Sequence, residues 1–168
     1  MIDAYIRQYG KRLYGLCLTL CVSAFDADDL YQETWLKVLK SIDQYDETKD
    51  FEPWLTRICV NTYRNKLKRI ARSPIFDCFA SNEEKDAVLE AAPATDEASE
   101  SDFAPLHKEI DNLPNKLRIT VILFYFRDMD IASASQALGI PAGTVKSRLN
   151  KARKLLKEAL ANEADIQF

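Results

Sequence analysis

Hydrophobic side chains recur along most of this 168-residue chain at the three-to-four-residue spacing of an amphipathic helix. The segment 120–126, TVILFYF, is prone to form a strand, but no nearby segment could pair with it, and it is interpreted as part of a buried helix. Asp26 is the expected N-cap of the second helix, and Pro53 is expected in the first turn of the third. The predicted helices span about 2–23, 26–42, 53–71, 106–112, 115–126, 130–138 and 142–161.

The helical pattern fails between residues 73 and 105, which are acidic and rich in Ala, Ser and Glu. This composition predicts a flexible linker. The net charge is −8 over 75–105, whereas residues 1–74 carry +2 and residues 106–168 carry +3, so the total of −3 hides two mildly basic units. The predicted fold class is therefore all-α, with small helical domains at 1–72 and 106–168 joined by this linker.

Several classes of protein are disfavoured by what the chain lacks. It has no apolar run of about 18 residues, so no membrane insertion is expected. The N-terminus places Asp3 before its first basic residue and lacks the order of a signal peptide, which favours a mature, cytoplasmic protein. Because His107 is the single histidine and the phosphate-loop, HExxH and GxSxG motifs are absent, neither an enzyme nor a cofactor is expected.

The four cysteines and the clustered aspartates have simple interpretations. Cys17 and Cys21 have a spacing that could offer two metal ligands, but the sequence contains no CxxC motif. These residues, with Cys59 and Cys78, are interpreted as small buried hydrophobic side chains, and no metal site is expected. The aspartates at 26, 28 and 29 suit the positive end of a helix dipole.

The segment 130–157, DIASASQALGIPAGTVKSRLNKARKLLK, has the pattern of a helix-turn-helix. Its last helix has one apolar face, and its other face lies in a stretch, 146–157, with six basic residues and no acidic one. That face suits the DNA major groove, with polar residues near base edges and cations near phosphates; the alternative is a solvated surface helix. The candidate contacts are Thr144, Lys146, Ser147, Arg148, Asn150, Lys151 and Lys154, flanked by Arg153.

A second basic face is predicted on the helix over 54–70. Residues 57–72 contain six basic groups and no acidic one. A tryptophan and two amides among cations suit single-stranded DNA, although a tryptophan near a helix start also commonly belongs to the core. The apolar side comprises Leu55, Ile58, Cys59, Thr62, Tyr63 and Ile70. The candidate DNA-contacting side comprises Trp54, Arg57, Asn61, Arg64, Asn65 and Lys68.

The helix over 26–42 carries one leucine, Leu36, in the middle of its polar side. An exposed leucine can be without consequence, but an apolar side chain rimmed by charge can also anchor a protein contact.

Three stretches together resemble the extracytoplasmic-function class of bacterial RNA polymerase sigma factors, within the sigma-70 family. DADDLYQETWLKVLKSIDQYD, residues 26–46, resembles the polymerase-binding helix. FEPWLTRICVNTYRNKLKR, residues 51–69, resembles the segment that opens the strands and recognises the −10 element. LPNKLRITVILFYF and LGIPAGTVKSRLNKARKLL, residues 113–126 and 138–156, are similar to the −35-binding domain. Their order and separation also fit this class.

The resemblance implies a non-catalytic protein that binds polymerase core, directs it to promoters and helps melt the −10 region. It implies that the 43–53 loop with Trp54, Asn61 and Asn65 captures unpaired −10 bases, and that the last helix meets the −35 duplex. It also implies an anti-sigma factor as a further partner, which could hold the protein at the membrane. The residues implied to face the clamp helices of the β′ subunit are Asp28, Asp29, Leu30, Gln32, Glu33, Leu36 and Lys37.

The first helix of the helix-turn-helix departs from the pattern of the class. It reads IASASQALGI where the class usually has YEEIAEILGI, with Ala134 and Ser135 at positions that are usually larger or apolar. The helix is still expected, with thinner packing.

Two other functions are weighed against the sigma factor. A conventional helix-turn-helix regulator, with N-terminal helices that sense a ligand or dimerise, has no need of the basic aromatic face at 54–68. A helical adaptor that binds only protein leaves the six unopposed basic residues at 146–157 unexplained.

Overall fold

The computed structural model describes residues 1–73 and 104–166. These segments are helical and contain no strand, which confirms the all-α class. All but the ends of the predicted linker lies outside the described residues. None of the described helices is long and apolar enough to cross a membrane. The α-helices are α1 (Ile2–Leu20), α2 (Ala24–Ser41), α3 (Phe51–Ala71), α4 (Ala104–Asp111), α5 (Asn115–Val121), α6 (Ile131–Leu138) and α7 (Ala142–Ile166), with a 3-10 turn at Ile42–Gln44.

The helices α1, α2 and α3 pack on one another and form the N-terminal unit. Leu20, Leu30 and Val38 are fully buried where these helices meet. Burial of side chains of this size stabilises the unit by about 1.5–3 kcal/mol each. The Ile70 side chain, predicted on the apolar side of α3, is instead 55% exposed, and the next residue, Ala71, is the one that is buried at this end of the helix.

The second helix begins earlier than its charge pattern predicts. Ser23, rather than Asp26, is the N-cap: its hydroxyl oxygen accepts a hydrogen bond from the Asp26 backbone N–H at 3.1 Å. The Ser23 hydroxyl also donates to the Asp26 carboxylate at 2.8 Å. Asp26 therefore completes the cap from the first turn, where its negative charge faces the positive end of the helix dipole.

The described cysteines are buried in the N-terminal unit, which confirms the interpretation of Cys17, Cys21 and Cys59 as small hydrophobic side chains. Cys78 lies outside the described residues. The Sγ atoms of Cys17 and Cys59 are 3.9 Å apart. The contact with Cys59, together with burial, raises the pKa of the Cys17 thiol, and burial raises the pKa of Cys21 to about 12. These thiols are therefore protonated at neutral pH.

The C-terminal unit contains α4 to α7 and one irregular turn. The predicted helix over 115–126 ends as an α-helix at Val121 and continues as a π-helical turn over Ile122–Phe126. The Arg127 N–H accordingly bonds the carbonyl five residues back, that of Ile122, at 3.1 Å. This wider turn buries Leu123 completely and leaves Tyr125 and Phe126 partly exposed.

The helix-turn-helix forms as predicted. The Asp130 carboxylate accepts a hydrogen bond from the Ser133 N–H at 2.7 Å and begins α6. Gly139 ends α6 in the left-handed region at φ 64°, a conformation that glycine adopts without steric cost. Val145, Leu149 and Ala152 of α7 are buried, which confirms the predicted inner face of this helix.

The unusual residues of α6 are well accommodated rather than thinly packed. Ala134 and Ala137 are fully buried, and α6 lies directly against α3 of the other unit. The Ser135 hydroxyl donates to the Ile140 carbonyl at 2.5 Å and so stabilises the turn. Small side chains permit this close approach of two helices, because the backbones can come together without leaving a void.

The two units contact each other and share one continuous core. Arg118 of α5 is 1% exposed, and its guanidinium reaches the C-terminal end of α1. It donates to the carbonyls of Thr19 at 2.7 Å and Leu20 at 3.4 Å, and to the Asp111 carboxylate at 3.4 Å. The arginine therefore satisfies carbonyls that the end of a helix leaves without a donor.

Candidate nucleic-acid and protein interfaces

The basic face of α3 is continuous, because α3 runs unbroken from Phe51 to Ala71. Arg57, Asn61, Asn65 and Lys68 are exposed on it, while Trp54 and Arg64 are partly buried. Helical spacing brings these six predicted residues onto one stripe about 20 Å long, given a rise of about 1.5 Å per residue.

Trp54 belongs to an aromatic cluster at the start of this stripe. Its ring centroid lies 5.0 Å from that of Tyr45 and 5.5 Å from that of Phe51. Phe51 in turn stacks on Tyr5 at 4.1 Å. Trp54 is thus half-buried. Part of its side chain packs in this cluster, and the rest is exposed, where base contact is predicted. Tyr45 and Phe51 were not predicted to pack on Trp54, although both lie within nine residues of it in the sequence.

Two arginines of the α3 stripe lie at the C-terminal unit. The Arg57 guanidinium sits against Gly139, where an added Cβ would stand 3.2 Å from Arg57 Nη2. Burial, and then the nearby Arg148, lowers the pKa of Arg64. The stripe therefore has an open part at Asn61, Asn65 and Lys68, while Arg57 and the half-buried Arg64 lie beside the helix-turn-helix.

The outer face of α7 carries the other predicted DNA-contacting residues. Lys146, Ser147, Asn150, Lys151 and Lys154 are exposed, and Thr144 is half-buried. Arg148 is also half-buried, and its Nη1 atom has no hydrogen-bond partner among the described residues. The face as a whole presents unopposed positive charge along three turns of one helix.

Arg153, predicted only to flank this face, holds one of its members in place. Its Nη1 donates to Asn150 Oδ1 at 3.1 Å, and its Nε donates to the Tyr125 hydroxyl at 2.6 Å. The same guanidinium lies 5.6 Å from the Tyr125 ring centroid. Because the amide oxygen of Asn150 accepts this bond, its NH₂ group remains as the donor of that side chain. Tyr125 comes from the π-helical turn, which its local sequence did not predict.

The polar face of α2 presents two exposed leucines. Leu36 is 56% exposed, in agreement with its predicted position, and Leu39 is 49% exposed three residues further on. Leu39 was not predicted at this face, although its spacing from Leu36 places the two on adjacent positions of the helix surface. Leu30 is wrong as a direct contact, because it is fully buried in the core of the N-terminal unit.

The charged residues predicted around Leu36 are mostly engaged with α3. Glu33 pairs with Lys37 and Lys66, each at 3.3 Å. Burial works against the charged form, but Lys37 and Lys66 lower the pKa of the Glu33 carboxyl. Asp29 also pairs with Lys66, and Asp28 accepts from the Tyr14 hydroxyl at 2.7 Å. Gln32 is exposed next to this network. The apolar pair Leu36 and Leu39 therefore lies beside charged side chains that ion pairs and hydrogen bonds already hold in place.

Both helical units match known families. Residues 5–73 match the family described as Sigma-70 region 2, and residues 103–156 match the family described as Sigma-70, region 4.

The chain is also similar to named sigma factors over most of its length. It is 32% identical to the ECF RNA polymerase sigma factor SigE of Mycolicibacterium smegmatis, and the match covers 96% of this chain but only 62% of that relative. It is 27% identical to the ECF RNA polymerase sigma factor SigW of Bacillus subtilis, with 90% of this chain and 84% of the relative covered.

Two solved structures have the same fold. One is the sigma factor RpoE in complex with the anti-sigma factor NepR from Bartonella quintana, with a TM-score of 0.73, 21% identity and coverage of 95% and 96% of the two chains. The other is CnrH in complex with the cytosolic domain of CnrY, with a TM-score of 0.65, 21% identity and coverage of 95% and 87%.

The fold and its surfaces are those of a two-unit helical protein with two separate basic helices and a third surface that is apolar and charged. The two family matches and the named relatives place it further: the chain belongs to the extracytoplasmic-function class of the sigma-70 family.

Proposed function

We propose that this chain binds RNA polymerase core and directs it to promoters as a dissociable initiation factor. It acts by binding alone, without catalysing a reaction. Each of its three surfaces binds a different target. The exposed face of α2 around Leu36 binds the clamp helices of the β′ subunit, the stripe on α3 engages the −10 element, and the outer face of α7 engages the −35 element.

The observation that carries this proposal is the difference in chemistry between the two basic helices. The α3 stripe combines an aromatic side chain, exposed amides and cations, which suits unpaired bases and their phosphates. The outer face of α7 combines small polar side chains with cations and has no aromatic residue, which suits the groove of an intact duplex. A conventional helix-turn-helix regulator needs only the second of these surfaces, and so it remains the weaker alternative.

The division into a −10 domain at 1–72, an acidic linker at 73–105 and a −35 domain at 106–168 is part of the same proposal. An anti-sigma factor is a further partner that the relatives support, since two proteins of similar fold form complexes with NepR and with the cytosolic domain of CnrY. Because RNA polymerase acts in the cytoplasm, we expect this protein there too. An anti-sigma factor that is anchored in the membrane would hold the protein at the membrane until the two dissociate.

The deciding experiment compares two α3 variants in promoter opening. Permanganate footprinting of holoenzyme should detect less opening with Trp54→Ala and with Asn61→Ala, while contact with the closed duplex persists. A template premelted at −10 should rescue Trp54→Ala more than Asn61→Ala, because a wedge becomes dispensable on open DNA and a base-reading amide does not.

The matched control is Asn112→Ala, which removes an exposed amide outside the three surfaces. Because Trp54 also packs on Tyr45 and Phe51, its variant must first keep the melting temperature of the wild type. Normal opening by both folded variants would contradict the role of α3 and favour the conventional regulator.

A further inference from the structure

We propose that Tyr125, from the π-helical turn, is a positioning residue that sets which base the outer face of α7 prefers. Through Arg153 it holds the Asn150 amide as a hydrogen-bond donor, and this favours guanine over adenine at the base pair that Asn150 meets. The inference rests on the proposed function, in which this face engages the −35 duplex.

The Arg153 guanidinium is held between Tyr125 and Asn150. Its Nε donates to the Tyr125 hydroxyl at 2.6 Å, and its central carbon lies 5.6 Å from the centroid of the Tyr125 ring. Its Nη1 donates to Asn150 Oδ1 at 3.1 Å. A long exposed arginine side chain has many rotamers open to it. The hydroxyl and the ring of Tyr125 favour the rotamer in which the guanidinium also reaches Asn150.

The backbone that carries Tyr125 is anchored on both sides of the turn. Ile122 and Leu123, which begin the π-helical turn, are fully buried. The ring of Phe124 meets that of Tyr125 edge-on, with 5.0 Å between the centroids. Beyond the turn, Met129 is buried, and its N–H bonds the Leu123 carbonyl at 3.1 Å. The Tyr125 side chain is therefore held at a fixed place beside α7 although it is 49% exposed.

The bond to Arg153 changes what the Asn150 amide can recognise. A free asparagine amide pairs with adenine by donating to N7 and accepting from the N6 amino group. In this chain the amide oxygen already accepts from a guanidinium. Its second lone pair remains, but the adjacent positive charge repels a further donor such as adenine N6. Asn150 and Arg153 together thus offer donors, which match the two acceptors of guanine, O6 and N7.

The test measures the base preference of the holoenzyme over the −35 region. The probe is a pool of promoter duplexes randomised in that region, from which the bound DNA is separated and sequenced. Asn150→Ala identifies the base pair that Asn150 meets, because the preference should be lost at that position. There the wild type should favour guanine over adenine by about fivefold or more, as one well-placed base contact does.

Arg153→Met and Tyr125→Phe should both reduce that preference or reverse it towards adenine. The first variant frees the amide oxygen of Asn150. The second removes the hydroxyl but keeps the ring, so its effect should be the smaller. The matched control, Lys154→Met, removes a neighbouring exposed charge from α7. It should weaken binding to all duplexes alike and leave the preference unchanged. A purely structural role of Tyr125 would lower the melting temperature without moving the preference at one base pair.

Three outcomes overturn the proposal. Asn150→Ala could keep the wild-type preference at every position. The wild type could fail to favour guanine over adenine at the position where Asn150→Ala loses its preference. Either Arg153→Met or Tyr125→Phe could keep the wild-type preference there. The proposed function fails separately, if the wild-type holoenzyme selects no sequence from the pool.

Discussion

At the scale of single residues, surroundings decide which of the predicted surface side chains can bind anything. Leu30 and Leu36 stand on the same helix and were both expected at the polymerase face, yet one is fully buried and the other is 56% exposed. Six residues correspond to about 600° of helix rotation, so the two side chains point to different sides. Leu36 and Leu39 thus remain as the apolar centre of the α2 face.

Leu36→Ala should weaken binding to polymerase core by about 1–3 kcal/mol, as truncation of an interface anchor does. Leu36→Asp should weaken it further, because a buried unpaired charge is costly. Fluorescence anisotropy of labelled protein titrated with core measures the change. Leu18→Ala, at an exposed leucine of α1, is the control. Normal binding by Leu36→Asp would contradict the assignment.

Lys151→Ala should weaken duplex binding and reduce the slope of log affinity against log salt concentration by about one unit, as the loss of one phosphate contact does. Titration of the promoter duplex with holoenzyme at several salt concentrations provides the slope. Lys11→Ala removes an exposed charge from α1, outside the three surfaces, and should leave the slope unchanged. An unaltered slope for Lys151→Ala would place this lysine away from the backbone.

At the scale of elements, local signals predicted the type of each helix better than its ends. Ser23 caps α2 three residues before the predicted N-cap, because a neutral hydroxyl can both accept from the first turn and donate to Asp26. The π-helical turn at 122–126 was predicted as ordinary helix. Hydrophobic spacing cannot detect one extra residue in a turn when all the residues around it are apolar.

The cap of α6 should make the helix-turn-helix sensitive to acid. The Ser133 N–H stabilises the charged form of Asp130 and lowers its pKa below the ordinary value of 3.8. The stabilisation is therefore complete above that ordinary value and is lost as the pH falls through the lowered pKa. Asp130→Ala should lower the melting temperature at pH 7, and the difference from wild type should shrink below pH 3.8.

Asp130→Ser separates the cap from its charge. Serine keeps an acceptor for the first turn but does not titrate in this range. Its melting temperature at pH 7 should lie closer to that of wild type than Asp130→Ala does. A constant gap between wild type and Asp130→Ala down to pH 2 would mean that the carboxylate charge plays no part.

At the scale of the whole molecule, two units that look independent in the sequence share a core. The helix α6 packs against α3, and Arg118 bonds the carbonyls at the end of α1. A buried guanidinium with several acceptors couples the units, because separating them leaves both the charge and the carbonyls to find new partners.

Arg118→Met should uncouple the units. Methionine fills similar space but donates nothing, and leaving carbonyls without donors costs about 1–3 kcal/mol. Differential scanning calorimetry should find one cooperative transition in wild type and two in the variant. Arg7→Met, at an exposed position of α1, should keep the single transition. A single transition in Arg118→Met would mean that other contacts suffice to couple the units.

Much of the candidate site was predictable because its information is local. The stripe on α3 and the outer face of α7 follow from residue spacing on single helices, and Asn61, Asn65, Lys146 and Lys151 are exposed where that spacing puts them. Tyr45, Tyr125 and Arg153 were missed as partners, since their roles depend on a loop, on a π-helical turn and on neighbouring elements.

The sequence by itself determined the all-α class, the positions of the helices, the turn at Gly139 and the chemical character of each helical face, because each depends on residues within a few turns of one another. Only the tertiary structure decided which faces are open and which are covered. The local sequence requires Gly139 for the turn. The position of α3 in the fold brings the Arg57 guanidinium against this glycine. Arg118 reads as a charged residue of an ordinary helix, and it becomes a buried link because α1 ends beside it.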